Sequence, residues 1–132
     1  MKLEHVAFMM QDPPAAARWY VEHLGMHVAR SLDRPPFTHF LADASGAVLF
    51  EIYNNSRAQV PDYANQDILL FHLAFVSDNV RRDRDRLVRA GATVAVDLPD
   101  VPLPGEDEVV TLRDPWGVPI QLARRVRPMI RP

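Results

Sequence analysis

The sequence predicts an α+β fold made of two tandem copies of one βαβββ module, and three observations support this prediction. The hexapeptides LEHVAF (residues 3–8) and LFHLAF (residues 70–75) share four residues and begin 67 residues apart. The predicted order of one strand, one helix and three strands occurs twice. A helix-ending glycine and an Asp-x-x-Gly turn also recur, 66 and 71 residues apart. This spacing is too long for a solenoid repeat and indicates a duplicated module.

The first module is predicted over about residues 1–55. An apolar run over residues 3–10 is typical of a strand. Asp12, followed by two prolines, begins a helix that continues over residues 15–24, and Gly25 ends it in a left-handed conformation. Three more strands are predicted over residues 26–32, 37–42 and 47–53.

The second module repeats this order after a polar connector. The connector spans residues 56–68, the module about residues 69–124, and a basic tail residues 125–132. Ser77 and Asp78 are predicted to cap a helix over residues 79–90, which Gly91 ends. The four strands are predicted over residues 69–76, 92–96, 108–112 and 118–124.

Composition excludes several classes of protein. The 132 residues are 48% apolar and 24% charged, as in an ordinary globular domain. A formal net charge of −2 argues against nucleic-acid binding. The chain has no cysteine, which excludes disulfides and thiolate metal sites and suits a reducing cytoplasm. No apolar run approaches the roughly 20 residues of a membrane span. We therefore expect one cytoplasmic globular domain.

Four polar side chains occupy matching places in the two modules. His5 and His72 lie in the first strands, and Glu51 and Gln121 lie 70 residues apart in the last strands. Two imidazoles, a carboxylate and an amide oxygen suit a borderline divalent ion such as Ni, Co, Zn, Mn or Fe(II). Each histidine taken alone is equally compatible with a hydrogen-bonded core residue. Glu51 would also avoid a desolvation penalty on the outer face of an edge strand.

The two hairpins differ in one respect. Glu51 follows its turn glycine by five residues, whereas Gln121 follows its own by four. A shift of one residue moves a side chain to the other face of a strand. The two side chains therefore point to equivalent faces of their sheets only if one hairpin has a bulge or an additional loop residue that the other lacks.

Five motifs carry a resemblance to a known family. They are LEHVAF, WYVEHLGM (residues 19–26), FEIYNN (residues 50–55), LFHLAF and DPWGVPIQL (residues 114–122). Over residues 3–124 the chain resembles the vicinal oxygen chelate superfamily, which includes glyoxalase I, extradiol dioxygenases, methylmalonyl-CoA epimerase and antibiotic-resistance proteins. The resemblance implies an open, barrel-like mixed sheet around one divalent metal ion, in a homodimer. It assigns the metal ligands to His5, Glu51, His72 and Gln121.

The resemblance also implies an activity. Metal-using relatives that deprotonate carbon typically have glutamate where this chain has Gln121, so Glu51 becomes the candidate catalytic base. We expect a metal-dependent lyase or isomerase of glyoxalase type, which converts a small substrate with vicinal oxygens through an enediolate. Tyr53 and His39 are candidate pocket residues. The alternatives are an Fe(II)-dependent ring-cleaving dioxygenase and a non-catalytic antibiotic-binding protein of the same fold.

Three charged or proline-rich segments have no assigned role. The run RRDRDR (residues 81–86) is predicted to be a solvated, self-paired helix face. Four arginines near the C-terminus are candidates for binding an anionic substrate group or for forming a subunit contact. They are Arg124, Arg125, Arg127 and Arg131. The acidic loop over residues 97–108 is long enough to act as a lid over a binding site, and an inert connector is the alternative.

Overall fold

The computed structural model describes residues 1–47 and 49–130. The chain divides into two units, Met1–Pro61 and Asp62–Pro132, and each unit has one four-stranded sheet. Val48, in the strand predicted over residues 47–53, and Arg131, in the basic tail, lie outside the described residues. Within the described part of the chain, no helix has the length and apolarity that a bilayer crossing requires.

The first unit has the predicted order of elements. They are β1 (Val6–Met9), α1 (Pro13–Leu24), β2 (His27–Ser31), β3 (His39–Ala42) and β4 (Leu49–Tyr53). The sheet order is β1-β4-β3-β2, with β1 parallel to β4 and the other neighbours antiparallel. The first and last strands of the unit are therefore hydrogen-bonded neighbours.

The second unit repeats this arrangement after a short 3₁₀ helix (Tyr63–Asn65). Its elements are β5 (Leu73–Val76), α2 (Val80–Arg89), β6 (Thr93–Val96), β7 (Glu108–Arg113) and β8 (Pro119–Arg124). The sheet order is β5-β8-β7-β6, and β5 is parallel to β8. The α+β fold class and the duplicated βαβββ order are thus confirmed.

Helix α1 has the predicted ends because local signals determine both of them. The Asp12 carboxylate accepts a hydrogen bond from the Ala15 amide (3.1 Å), and prolines occupy the first two helical positions. Gly25 follows the helix with a φ of 68°, a left-handed conformation that glycine adopts without strain. On the buried side of the helix, the ring of Tyr20 meets Phe50 of β4 edge-on at 5.9 Å. The helix therefore covers one face of the sheet.

Helix α2 has a different N-cap from the predicted pair Ser77-Asp78. The Asn79 side chain accepts the hydrogen bond from the Arg82 amide (3.0 Å). Ser77 acts from outside the helix, since its hydroxyl accepts from the Asn79 amide (3.2 Å) and donates to Asp83 (2.6 Å). Serine and asparagine are both good capping residues, so composition alone did not distinguish them.

The difference between the two hairpins lies in their turns. The last pair of the β3–β4 ladder is Ala42 with Leu49, seven positions apart, whereas the last pair of the β7–β8 ladder is Arg113 with Pro119, six positions apart. Glu51 and Gln121 are each the third residue of their strand. The additional residue is therefore a loop residue, and the two side chains keep equivalent positions in their sheets.

The 3₁₀ helix is anchored to the β7–β8 hairpin of the second unit. The Arg113 guanidinium donates to the carbonyl oxygens of Tyr63 (2.6 Å) and Gln66 (2.7 Å). It also donates to the Gly117 carbonyl oxygen in the turn (3.1 Å). One cation thus satisfies three carbonyl groups and links the start of the unit to the turn that leads into β8.

Candidate functional site

Strand β4 presents one apolar face and one mixed face. Phe50 and Ile52 are buried, whereas Leu49, Glu51 and Tyr53 are half-buried. Successive side chains of a strand point to opposite faces. Since Phe50 contacts helix α1, Glu51 lies on the face of the sheet that the helix leaves uncovered.

His5 lies beside Glu51 on this uncovered face. Parallel pairing places Ala7 of β1 opposite Glu51, and His5 precedes Ala7 by two residues. The imidazole Nε2 is 3.3 Å from the Glu51 Oε2, and the two side chains are 29% and 21% exposed. The two side chains therefore lie in contact on this face.

Two further residues surround the imidazole of His5. Its Nδ1 lies 2.9 Å from the Glu4 carboxylate. The ring of Phe40, which pairs with Glu51 across β3 and β4, meets the imidazole edge-on at 5.5 Å. Neither Glu4 nor Phe40 was among the site residues predicted from the sequence. The acidic residue next to His5 was a visible signal for Glu4, whereas Phe40 is identified only by the register between strands.

The second unit places its own two candidates at corresponding positions. Ala74 of β5 pairs with Gln121, as Ala7 pairs with Glu51 in the first unit. His72 precedes Ala74 by two residues and lies just outside the strand, where it is exposed, and Gln121 is half-buried. In each unit, therefore, a histidine just before the first strand lies two residues before the alanine that pairs with the polar residue.

The structure brings together only part of the predicted ligand set. Across residues 1–47 and 49–130, it contains no group of three or more His, Asp or Glu side chains arranged to hold a metal ion. The pair of His5 and Glu51 is the part that the structure assembles. His72 and Gln121 belong to the second unit.

The two candidate pocket residues lie on different faces of the first sheet. Tyr53 follows Glu51 by two residues and shares its face. His39 pairs in register with Ile52, so its side chain lies on the opposite face. The His39 Nδ1 is 2.7 Å from the Phe37 carbonyl oxygen. The structure thus places Tyr53, and not His39, next to the candidate donors.

The charged segments of the second unit are largely paired with one another. Arg84 contacts Asp85 (2.8 Å) and Asp97 (2.7 Å), which confirms the prediction of a self-paired helix face for residues 81–86. Arg124 contacts Glu108 (2.8 Å). Arg125 likewise lies 3.0 Å from an acidic side chain of the loop over residues 97–108. These arginines are engaged within their own unit.

Comparisons with known proteins agree with the fold and with the motifs. A model of the glyoxalase/bleomycin resistance protein/dioxygenase superfamily matches residues 2–122. A glyoxalase family protein from Bacillus cereus superposes with a TM-score of 0.77 at 13% identity, over 93% of each chain. A mutant glyoxalase I from Zea mays gives a TM-score of 0.72 at 20% identity, over 96% of this chain and 46% of its own. TnmS3, an antibiotic-binding protein from Streptomyces sp. CB03234, gives 0.63 at 22% identity, over 92% and 96%. A comparison with curated proteins gives no match.

Proposed function

Because the chain belongs to the glyoxalase/bleomycin resistance protein/dioxygenase superfamily, we propose that it is a metal-dependent lyase or isomerase of glyoxalase type. The proposed substrate is a small molecule with two adjacent oxygens, which is converted through an enediolate. One observation carries the proposal: His5 and Glu51 present a nitrogen and an oxygen 3.3 Å apart on the face of the sheet that helix α1 leaves uncovered.

The separation of these two atoms suits a shared divalent ion. Nitrogen and carboxylate ligands bind ions such as zinc at about 2.0 to 2.2 Å. Two such donors are about 2.8 to 3.1 Å apart at octahedral angles and about 3.3 to 3.6 Å apart at tetrahedral angles. The distance of 3.3 Å between Nε2 and Oε2 falls in the tetrahedral range. An imidazole and a carboxylate together suit Ni, Co, Zn, Mn or Fe(II).

The proposed ligand set includes the corresponding pair of the second unit. His72 precedes by two residues the alanine that pairs with Gln121, as His5 precedes the alanine that pairs with Glu51 in the first unit. An imidazole and an amide oxygen from this pair would bring the set to four donors, the usual number for a zinc-like ion in a protein.

The proposed catalytic base is Glu51. A bound divalent ion supplies Lewis acidity toward the two substrate oxygens. Glu51 removes the proton from the carbon that bears the substrate hydroxyl and returns it to the adjacent carbonyl carbon, while the hydroxyl proton moves to the former carbonyl oxygen. Gln121 does not take this role, because its amide has no basic oxygen at neutral pH. Tyr53, on the same face as Glu51, is the proposed pocket residue. A pocket role for His39 remains a separate prediction.

A homodimer in the cytoplasm is part of the same proposal. Strand β5 stands at one edge of its sheet, and its apolar residue Val76 is 88% exposed. An unpaired apolar edge is a common site of association between chains. The absence of cysteine suits a reducing compartment. Light scattering on the purified protein measures the oligomeric state directly.

A second candidate function is a non-catalytic binding protein for a small molecule such as an antibiotic. Two observations favour it: the described residues contain no group of three His, Asp or Glu side chains arranged to hold a metal ion, and TnmS3 has the same fold. An Fe(II)-dependent ring-cleaving dioxygenase is the third candidate, since two histidines and one carboxylate are the ligands of non-haem iron oxygenases.

Elemental mass spectrometry of the purified protein distinguishes these candidates. We expect about one divalent ion per chain, lost in a His5→Ala, His72→Ala double variant and weakened in Glu51→Gln. His27→Ala, which removes an exposed imidazole from β2, is the matched control and should retain the ion. Nickel, cobalt, manganese or zinc supports the lyase or isomerase, and iron supports the dioxygenase. If no ion binds after incubation with each metal, the metal mechanism is wrong and the binding protein is favoured.

A further inference from the structure

Two carboxylates contact the imidazole of His5, one at each ring nitrogen. The Glu4 Oε2 lies 2.9 Å from Nδ1, and the Glu51 Oε2 lies 3.3 Å from Nε2. The Glu51 side chain is 21% exposed, whereas the Glu4 side chain is 82% exposed and belongs to the segment before β1. The two acidic residues therefore contact the same ring from different environments.

The contact with Glu4 favours a proton on Nδ1. Both ring nitrogens face a carboxylate, which when ionised is an acceptor only, but Glu4 is the closer one, at 2.9 Å against 3.3 Å for Glu51, so a neutral imidazole that carries one proton holds it on Nδ1. In a neutral imidazole the other nitrogen, Nε2, then has a free lone pair. This nitrogen faces Glu51, and a neutral imidazole binds a metal ion through such a lone pair.

Phe40 restricts the orientation of the same ring. Its side chain meets the imidazole at an interplanar angle of 84° with centroids 5.5 Å apart. Rotation of His5 by half a turn would exchange the ring positions of Nδ1 and Cδ2 and break the hydrogen bond to Glu4. The aromatic contact thus restricts the plane of the ring, and the hydrogen bond to Glu4 selects between the two flipped orientations in that plane.

We propose that Glu4 is a positioning residue, which holds His5 in the Nδ1-protonated tautomer and directs Nε2 toward the ion. The inference rests on the proposed function. Glu4 would act through His5 and would not touch substrate or metal. Carboxylates that orient a metal-binding histidine in this way typically change metal affinity about 10- to 100-fold when they are removed.

The second unit has no equivalent of Glu4. The residue before His72 is Phe71, whose ring lies 6.3 Å from that of Tyr63. The duplicated hexapeptides therefore differ in their second residue, a carboxylate in LEHVAF and a phenyl ring in LFHLAF. The two histidines are thus unequal, because the residue before His5 offers a carboxylate acceptor and the residue before His72 does not.

The test combines a spectroscopic and a binding measurement on three variants. Glu4→Ala removes the acceptor and the charge, whereas Glu4→Gln removes the charge but retains an amide oxygen that can accept from Nδ1. Glu22→Gln is the charge-matched control, since Glu22 is 74% exposed and lies 3.8 Å from His23 Nε2 on α1. Nitrogen-15 NMR of the metal-free protein at alkaline pH reports the tautomer of His5. Competition titration with Zn²⁺ reports metal affinity.

We expect Nδ1 protonation in the wild type, in Glu4→Gln and in Glu22→Gln, and a shift toward Nε2 protonation in Glu4→Ala. Metal affinity should fall about tenfold in Glu4→Ala and by less than about threefold in the other two variants. An unchanged tautomer and an unchanged affinity in Glu4→Ala would overturn the inference. Equal affinity losses in Glu4→Ala and Glu4→Gln would also overturn it, because charge alone would then explain the effect. If the wild type binds no metal, the proposed function fails, while the NMR spectrum still decides whether Glu4 sets the tautomer.

Discussion

Replacement of Gly117 by alanine should destabilise the protein by about 2 to 5 kcal/mol, for two separable reasons. The residue has a φ of +89°, and a left-handed conformation costs an L-residue about 1 to 2 kcal/mol. An added Cβ would also lie 2.5 Å from the backbone nitrogen and 2.7 Å from the Cα of Ala64. Because these are backbone atoms, the 3₁₀ helix must move, and such overpacking typically costs about 1 to 3 kcal/mol.

Gly46→Ala separates the two contributions. Gly46 has a φ of +71°, in the corresponding turn of the first unit, but a Cβ there would meet no heavy atom within 4 Å. We expect a loss of about 1 kcal/mol at this position, from backbone conformation alone.

Urea denaturation followed by circular dichroism gives the free energy of unfolding of both variants. If the loss in free energy of unfolding for Gly117→Ala exceeds that for Gly46→Ala by no more than about 1 kcal/mol, the predicted clash with Ala64 is wrong. In that case the 3₁₀ helix does not pack against the turn as closely as the structure shows. The same turn leads into β8, so metal affinity should be measured on the folded variant as well.

Three further predictions concern single side chains. Arg113→Met removes the guanidinium donor from the carbonyl oxygens of Tyr63, Gln66 and Gly117. Thermal denaturation should then show a loss of about 2 to 3 kcal/mol, and an unchanged Tm would contradict the anchoring role. Burial alone would raise the pKa of Asp83, but the Ser77 hydroxyl and two neighbouring arginines hold that pKa below its ordinary value of 3.8. The stability contributed by Asp83 is therefore fully present above pH 3.8 and lost as the pH falls through the lower folded-state pKa. Asp83→Asn should lower the free energy of unfolding by about 1 kcal/mol at neutral pH. In urea denaturation, the free energy of unfolding of the variant should also fall less steeply than that of the wild type between neutral and acidic pH. An equally steep fall in the variant would contradict the stabilising role of the Asp83 carboxylate. His39→Ala should leave metal stoichiometry unchanged in elemental analysis, because His39 lies on the opposite face from Glu51; loss of the ion would place it at the site.

Strand ends show where local sequence signals stop being sufficient. Apolar runs over residues 3–10 and 69–76 predicted long first strands, but β1 and β5 begin only at Val6 and Leu73. A strand extends as far as its hydrogen-bonded partner, and the β1 ladder with β4 starts at the pair Val6 and Phe50. Helix α1 could be predicted more closely because its cap and its final glycine belong to its own sequence.

Some of the candidate site was also visible in the sequence. The duplicated hexapeptide identified His5 and His72, and the repeated hairpin identified Glu51 and Gln121. The sequence further showed that the two hairpins differ by one residue, and the structure placed that residue in the turn. Metal binding and the base role of Glu51 remain predictions.

The sequence by itself determined the order of the elements, the duplication and the ends of α1, because these depend on residues close together in the chain. Only the tertiary structure decided that His5 and Glu51 touch, that Phe40 and Glu4 surround the imidazole, and that His39 faces the other way. Alternation along a strand divides its side chains into two sets without indicating which set the helix covers. That choice, and the partner across each ladder, depend on packing and register between segments distant in sequence.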